Sequence, residues 1–123
     1  MKYVNIVLIA AILLWDPVWS MLGVKQMFPW ELKRLLRESP ESVRLVDVRT
    51  PMEYGWFHIP GAQSRPELLQ DASGLAPAPD KTTVIICMTG HRSPPLVKTL
   101  GQENTYNLTW GMLAWRLFGG KTE

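Results

Sequence analysis

The chain has 123 residues, of which 46% are hydrophobic and 20% charged, and its formal net charge is +2. A chain of this length forms one domain that can bury a core, and the composition excludes both a disordered polyanion and a strongly basic nucleic-acid-binding protein. A single cysteine excludes an intrachain disulfide. With His58 and His91 as the only histidines, no Cys/His zinc site is recognisable, and no metal or other cofactor is predicted.

Residues 1–24 form an export or membrane segment that is apolar almost without interruption from Tyr3 to Trp15. Extended to residue 24, the stretch reaches the length of a membrane-spanning helix, although Asp16 and Pro17 are unusual there. In the alternative, a signal peptide, Pro17 ends the helix and residues 18–20 precede a cleavage point, where Trp19 is unusual. A buried core helix is the third possibility. We expect a retained anchor, and the side of the membrane stays open because basic residues occur before and after it.

Residues 25–123 alternate predicted helices and strands and form the main domain. Leucines at helical spacing predict a helix over residues 29–38, and further helices are expected at 52–54, 65–69, after residue 93 and at 112–118. Strands are predicted at residues 44–48, after the turn at 58–62, at 84–86 and at 105–108, with a loop at 74–80. This order predicts an α/β fold with a mostly parallel central sheet of four or five strands and helices on both faces.

The loop CMTGHRS, residues 87–93, follows the most apolar strand, which suits the centre of a sheet. A lone cysteine there is usually inert. Here, however, Gly90 permits a tight turn, and the free N–H groups at the start of the next helix would stabilise an anionic sulfur on Cys87. Arg92 adds a positive charge that we expect to face the same space. Since ligands bind beyond the carboxyl ends of parallel strands, the loop predicts a reactive thiol.

Four motifs in order resemble those of the rhodanese family of sulfurtransferases. They are LVDVR at 45–49 with EY at 53–54, HIPGA at 58–62, the CMTGHRS loop, and YNLTWG at 106–111 with Trp115. The resemblance covers roughly residues 28–118. It implies a single rhodanese domain that takes sulfane sulfur from a small anionic donor such as thiosulfate, holds it as a persulfide on Cys87, and passes it to a thiol or to cyanide.

The resemblance also assigns roles to individual residues. Cys87 is the catalytic residue, and the rest of its loop binds the substrate through backbone N–H groups and side chains: Met88, Thr89, Gly90, His91, Arg92 and Ser93. Whether His91 tunes the choice of acceptor or is only a solvated loop residue is left open. Three residues are expected to support the site, Asp47 and Arg49 by pairing locally and His58 as a hydrogen-bonded turn residue.

Two other functions compete with sulfur transfer. Rhodanese-related phosphatases and arsenate reductases have a loop one residue longer, whereas Arg92 follows Cys87 by five positions, which favours sulfur over phosphate. A non-catalytic binding module is the second alternative, and the presence of Cys87, Gly90 and Arg92 argues against it. The chain departs from the family at Trp110, where a glycine pair is usual, and in a shortened segment between residues 100 and 105. The expected location is the bacterial inner membrane, or the periplasm after cleavage.

Overall fold

The computed structural model describes residues 2–123 and contains one five-stranded parallel sheet. The strands lie in the order β1-β5-β4-β2-β3. Their bounds are Gln26–Met27 (β1), Val43–Asp47 (β2), Gln63–Ser64 (β3), Thr82–Ile86 (β4) and Thr105–Leu108 (β5), and every neighbouring pair is parallel. The predicted α/β fold is therefore confirmed, with the strand before the cysteine loop at the centre of the sheet.

Five α-helices connect or flank these strands. Their bounds are Lys2–Met21 (α1), Pro29–Glu38 (α2), Pro51–Trp56 (α3), Ser93–Leu100 (α4) and Gly111–Leu117 (α5), and short 3-10 turns occupy Pro40–Ser42, Pro66–Leu69 and Ala72–Gly74. The helix predicted over residues 29–38 has the predicted bounds, with Pro29 in the first turn, where its missing N–H costs no hydrogen bond. Strand β1 was not predicted, because two residues are too short to show an alternating pattern.

Two apolar layers cover the sheet. One packs between the sheet and helices α2 and α5, and its fully buried members include Leu32, Ile86, Leu108 and Met112. The other lies on the opposite face under α4 and includes Val46, Ile85, Cys87 and Val97. Burial of each large apolar side chain contributes about 1.5–3 kcal/mol. Successive residues of β4 belong alternately to the two layers, so the strand that leads to the cysteine is packed on both of its faces.

Helix α1 contains 20 residues and is mostly exposed. Residues Tyr3–Met21 are long and apolar enough to cross a membrane by length and composition, a test that signal sequences also pass. Pro17 lies inside the helix and does not end it. The last third of α1 packs on the main domain, where Asp16 is only 1% exposed. The contacts between α1 and the main domain therefore cross the boundary predicted at residue 24.

Candidate sulfur-transfer site

Cys87 follows β4 directly and is fully buried. Its Sγ accepts a hydrogen bond from the backbone N–H of Gly90 at 3.0 Å, and the hydroxyl oxygen of Ser93 lies 3.3 Å from it. The Ser93 hydroxyl also donates to Oδ1 of Asn107, a fully buried residue of β5. A hydroxyl has one hydrogen, so the Ser93 hydroxyl that donates to Asn107 does not donate to Sγ at the same time, and the Gly90 N–H is the hydrogen directed at the sulfur. Such an arrangement stabilises negative charge on sulfur.

The backbone of the loop is shaped by close approach to α5. Gly90 adopts a left-handed φ of +83°, which a glycine reaches without strain. The N–H groups of Met112 and Leu113 donate to the carbonyl oxygens of Cys87 and Met88 at 2.8 and 2.9 Å. Among the hydrogen bonds of the described residues, Gly90 is the one N–H of residues 88–93 that reaches Sγ. Of the predicted nest of donors, the Gly90 N–H is therefore the one directed at Sγ in this structure.

Arg92 forms an ion pair with a residue of α3. Its guanidinium donates to both carboxylate oxygens of Glu53 at 3.1 and 3.2 Å. Burial raises the pKa of Glu53, but hydrogen bonds from Thr50 and the nearby charge of Arg92 outweigh that effect and hold the pKa below its usual value. The ion pair links the loop to α3, and a donor anion must compete with Glu53 for the guanidinium.

His91 is held by contacts on both of its sides. Its Nδ1 lies 2.7 Å from the hydroxyl oxygen of Thr89, and its ring stacks on Trp15 of α1 with centroids 5.6 Å apart. The indole N–H of Trp15 donates to the carbonyl oxygen of His91 at 3.1 Å. His91 is therefore a contact point between the loop and the N-terminal helix, and not a freely solvated residue.

Asp47 and Arg49 pair with each other at the carboxyl end of β2, as predicted. Both side chains are fully buried, and Nη2 of Arg49 lies 2.7 Å from Oδ2 of Asp47. The same Nη2 donates to the carbonyl oxygen of Phe57 at 2.6 Å, which ties the end of α3 to the strand. Nη1 of Arg49 is buried and has no partner among the described residues. The guanidinium consequently depends on Asp47 for charge compensation.

His58 lies in a turn, as predicted, and its hydrogen bonds do not involve the cysteine loop. Its Nδ1 is 2.9 Å from the carbonyl oxygen of Tyr54, and its Nε2 is 3.2 Å from a carboxylate oxygen of Glu123. The ring stacks on Tyr54 with centroids 3.8 Å apart. These contacts fit a residue that fixes the turn after α3 and not one that exchanges protons with the thiol.

A cavity of about 180 Å³ lies beside the loop and is lined by Arg92, Pro95 and Leu96 together with residues of the segment 68–72. A larger cavity of about 380 Å³ lies between α2 and the C-terminal tail, and no residue of the loop lines it. The smaller cavity is the better candidate for the donor, because it adjoins the loop. Within residues 2–123, no group of three or more His, Cys, Asp or Glu side chains could hold a metal ion.

A sequence profile of the rhodanese-like domain matches residues 29–117, which is most of the chain. The chain belongs to the rhodanese family. It is 40% identical over 92 residues to the probable adenylyltransferase/sulfurtransferase MoeZ of Mycobacterium tuberculosis, a match that covers 71% of this chain and 23% of MoeZ. The chain thus spans less than a quarter of that relative.

Two solved structures illustrate the likeness of the fold. The crystal structure of thiosulfate sulfurtransferase from Pseudomonas aeruginosa matches with a TM-score of 0.62 and 26% identity, over 81% of this chain and 19% of that one. RPA3614 from Rhodopseudomonas palustris, described as a protein of unknown function and possible tyrosine phosphatase, matches with a TM-score of 0.68 and 26% identity. This second match covers 94% of this chain and 93% of RPA3614, so it includes part of α1.

Trp110 of this rhodanese domain has a backbone φ of +61°. Bulky residues are rare in this left-handed region. The N–H of Trp110 donates to Oδ2 of Asp16 at 2.6 Å, and its indole N–H donates to the carbonyl oxygen of Leu13 at 3.3 Å. The segment between α4 and β5 contains two further left-handed residues, Gly101 with φ +58° and Asn104 with φ +57°. The wall of the rhodanese site is thus partly built by α1.

Three polar residues near the rhodanese site were not predicted: Asp16, Gln26 and Asn107. The side chain of Asn107 donates to Oε1 of Gln26 at 2.8 Å, and Nε2 of Gln26 donates to the carbonyl oxygen of Asp16 at 3.0 Å. A signal was present in the sequence, because each is a polar residue inside or beside an otherwise apolar stretch. Gln26 contacts both Asn107 and Asp16, and these contacts form only because the fold brings β1, β5 and α1 together.

Proposed function

We propose that this rhodanese domain is a sulfurtransferase that carries sulfane sulfur as a persulfide on Cys87. Membership of the family and the sulfurtransferase relatives support transfer of sulfur in general. The observation that carries the assignment to Cys87 is the environment of its Sγ, which accepts the Gly90 N–H at the carboxyl end of the central strand. It is also the only thiol in the chain.

The proposed reaction has two half-reactions. The Cys87 thiolate attacks the outer sulfur of thiosulfate, the sulfur–sulfur bond of thiosulfate breaks, and sulfite leaves with the bonding electron pair. A thiolate or cyanide then attacks the terminal sulfur of the persulfide, the new sulfur–sulfur bond breaks, and Cys87 regains its thiolate. The Gly90 N–H is placed to stabilise the Cys87 thiolate, and the Ser93 hydroxyl can add a second hydrogen bond when its hydrogen turns from Asn107 to Sγ.

A phosphatase is the second candidate, because RPA3614 is described as a possible tyrosine phosphatase. A phosphate monoester needs several donors for its equatorial oxygens. In this loop the Arg92 guanidinium is paired with both carboxylate oxygens of Glu53, and Arg92 follows Cys87 by only five positions. These two features favour the transfer of one sulfur atom over the binding of a phosphoryl group.

We further propose that α1 attaches the domain to a membrane. Because the side chains of Trp15 and Asp16 contact His91 and Trp110, the part of the helix whose side chains are left for lipid in this arrangement is residues 3–14. At about 1.5 Å per residue these rise about 18 Å. The hydrocarbon core of a bilayer is about 30 Å thick, so the docked helix inserts deeply but crosses only where the bilayer thins or the docked turn is released.

Mass spectrometry of the full chain tests the proposed reaction. After incubation with thiosulfate, the intact protein should gain about 32 Da, the mass of one sulfur atom, and should lose it on addition of cyanide. Cys87→Ser is the matched control, because it removes the only thiol and should gain nothing. An unmodified wild-type thiol under these conditions would contradict the proposal. Hydrolysis of an aryl phosphate by the same preparation, abolished in Cys87→Ser, would support the phosphatase instead.

A further inference from the structure

Asp16 is an acidic residue within an otherwise apolar helix, and it is turned toward the rhodanese domain. Its side chain is almost completely buried, at 1% exposure. Oδ2 accepts the Trp110 N–H at 2.6 Å, whereas Oδ1 is buried and has no partner among the described residues. A buried carboxylate oxygen without a partner is costly, so stability alone is a poor reason for this residue.

The Asp16 carboxylate touches the part of the loop that donates to the sulfur. A Cβ atom at position 90 would lie 2.5 Å from Oδ2 of Asp16 and 2.9 Å from the backbone nitrogen of Trp110. Gly90 is therefore enclosed between α1 and the start of α5. Because the Gly90 N–H donates to Sγ of Cys87, a shift of Gly90 on loss of the Asp16 carboxylate would change that hydrogen bond.

Trp110 explains why a fixed acceptor is needed here. A tryptophan with φ +61° is strained, and such a residue persists only when its surroundings hold it. Asp16 accepts its backbone N–H, Leu13 accepts its indole N–H, and Phe28 packs on its ring with centroids 5.6 Å apart. Two of these three partners belong to α1. The helix and the unusual tryptophan are therefore structurally coupled.

A second route connects α1 to the sulfur through side chains. The backbone carbonyl of Asp16 accepts a hydrogen bond from the side-chain amide of Gln26, which in turn accepts one from the side chain of Asn107. The side chain of Asn107 accepts a hydrogen bond from the Ser93 hydroxyl, which lies beside Sγ. A displacement of α1 thus reaches both the Gly90 N–H and the Ser93 hydroxyl group beside the sulfur.

We propose that α1 is a component of the sulfur site and that Asp16 is its positioning residue, which holds Gly90 and Trp110 so that the Gly90 N–H meets Cys87. This role belongs to the proposed sulfurtransferase function, and only the measurement of transfer rates requires that function to be correct. The RPA3614 structure, whose match extends into α1, is consistent with a helix that belongs to the fold. Removal of α1 would therefore impair the site as well as detach the domain from lipid.

The test compares Asp16→Ala with Asp16→Asn in the full chain. The alanine variant loses the acceptor for Trp110, and we expect persulfide formation from thiosulfate to slow by about tenfold or more, mainly in kcat. The pH midpoint for alkylation of Cys87 by iodoacetamide should move upward, because the thiolate loses an aligned N–H donor. The asparagine variant keeps an acceptor oxygen of the same shape and should restore both values to within about threefold of wild type.

The Trp110→Gly variant gives a second test of the coupling between Asp16 and Trp110 if Asp16→Ala folds poorly. Glycine adopts a positive φ without strain, so in that background Asp16→Ala should change the alkylation midpoint and the rate much less than it does with Trp110 present. Wild-type rates and midpoints in Asp16→Ala would overturn the proposal, as would an equal effect of Asp16→Ala with and without Trp110. The alkylation profile does not require sulfur transfer, so it separates failure of the positioning role from failure of the proposed reaction.

Discussion

Replacement of Asp47 by Asn tests whether the buried ion pair beside the site holds the end of β2. Arg49 and Asp47 are both fully buried, and the carboxylate accepts from Nε at 2.9 and 3.1 Å and from Nη2 at 2.7 Å. Asparagine keeps the size of the side chain but leaves the guanidinium charge uncompensated. Loss of one partner of a buried pair costs about 3–5 kcal/mol, and we expect the lower end because the amide oxygen still accepts one hydrogen bond.

Urea unfolding of the full chain in mild detergent measures this cost. With a dependence on urea of about 1–3 kcal/mol per molar, a loss of about 3 kcal/mol lowers the midpoint by at least about 1 M. The matched control is Glu67→Gln, which breaks the exposed pair between Arg65 and Glu67 and should leave the midpoint within error. A fall of less than about 0.3 M for Asp47→Asn would refute the idea that Arg49 depends on this carboxylate.

Two further predictions concern the loop and its ion pair. In Gly111→Ala, the new Cβ would lie 2.6 Å from the Met88 carbonyl carbon and would overlap the Cys87 carbonyl. We therefore expect thermal unfolding to show a loss of about 2–4 kcal/mol in the free energy of unfolding. The control is Gly61→Ala, where φ is +86° but no atom lies within 4 Å of the new Cβ, and it should lose only about 1 kcal/mol. Equal losses in the two variants would argue against the close contact. The lowered pKa of Glu53 means that its contribution to stability is present above the usual carboxyl pKa and is lost as pH falls, so Glu53→Gln should lower the urea midpoint more at pH 7 than near pH 3.5. A difference between variant and wild type that does not change with pH would contradict this reasoning.

Local sequence patterns predict most of the elements and the nucleophile. The leucine spacing of α2, the uniformly apolar β4 and the strand at residues 105–108 appear where predicted, because each element buries one continuous apolar face. The cysteine loop was identified because its chemistry lies in seven consecutive residues. The pairing of Asp47 with Arg49 was equally accessible, since the two residues are neighbours at one strand end.

What the sequence could not show depends on distance along the chain. Arg92 meets Glu53 across 39 positions, and Asp16 meets Trp110 across 94, so no local pattern indicates either contact. The sequence by itself determined the family and the α/β fold, and it singled out Cys87 as the candidate nucleophile. Only the tertiary structure decided which groups surround the sulfur, because parallel strands and a returning N-terminal helix bring residues 16, 26, 90, 107 and 110 together from distant parts of the chain.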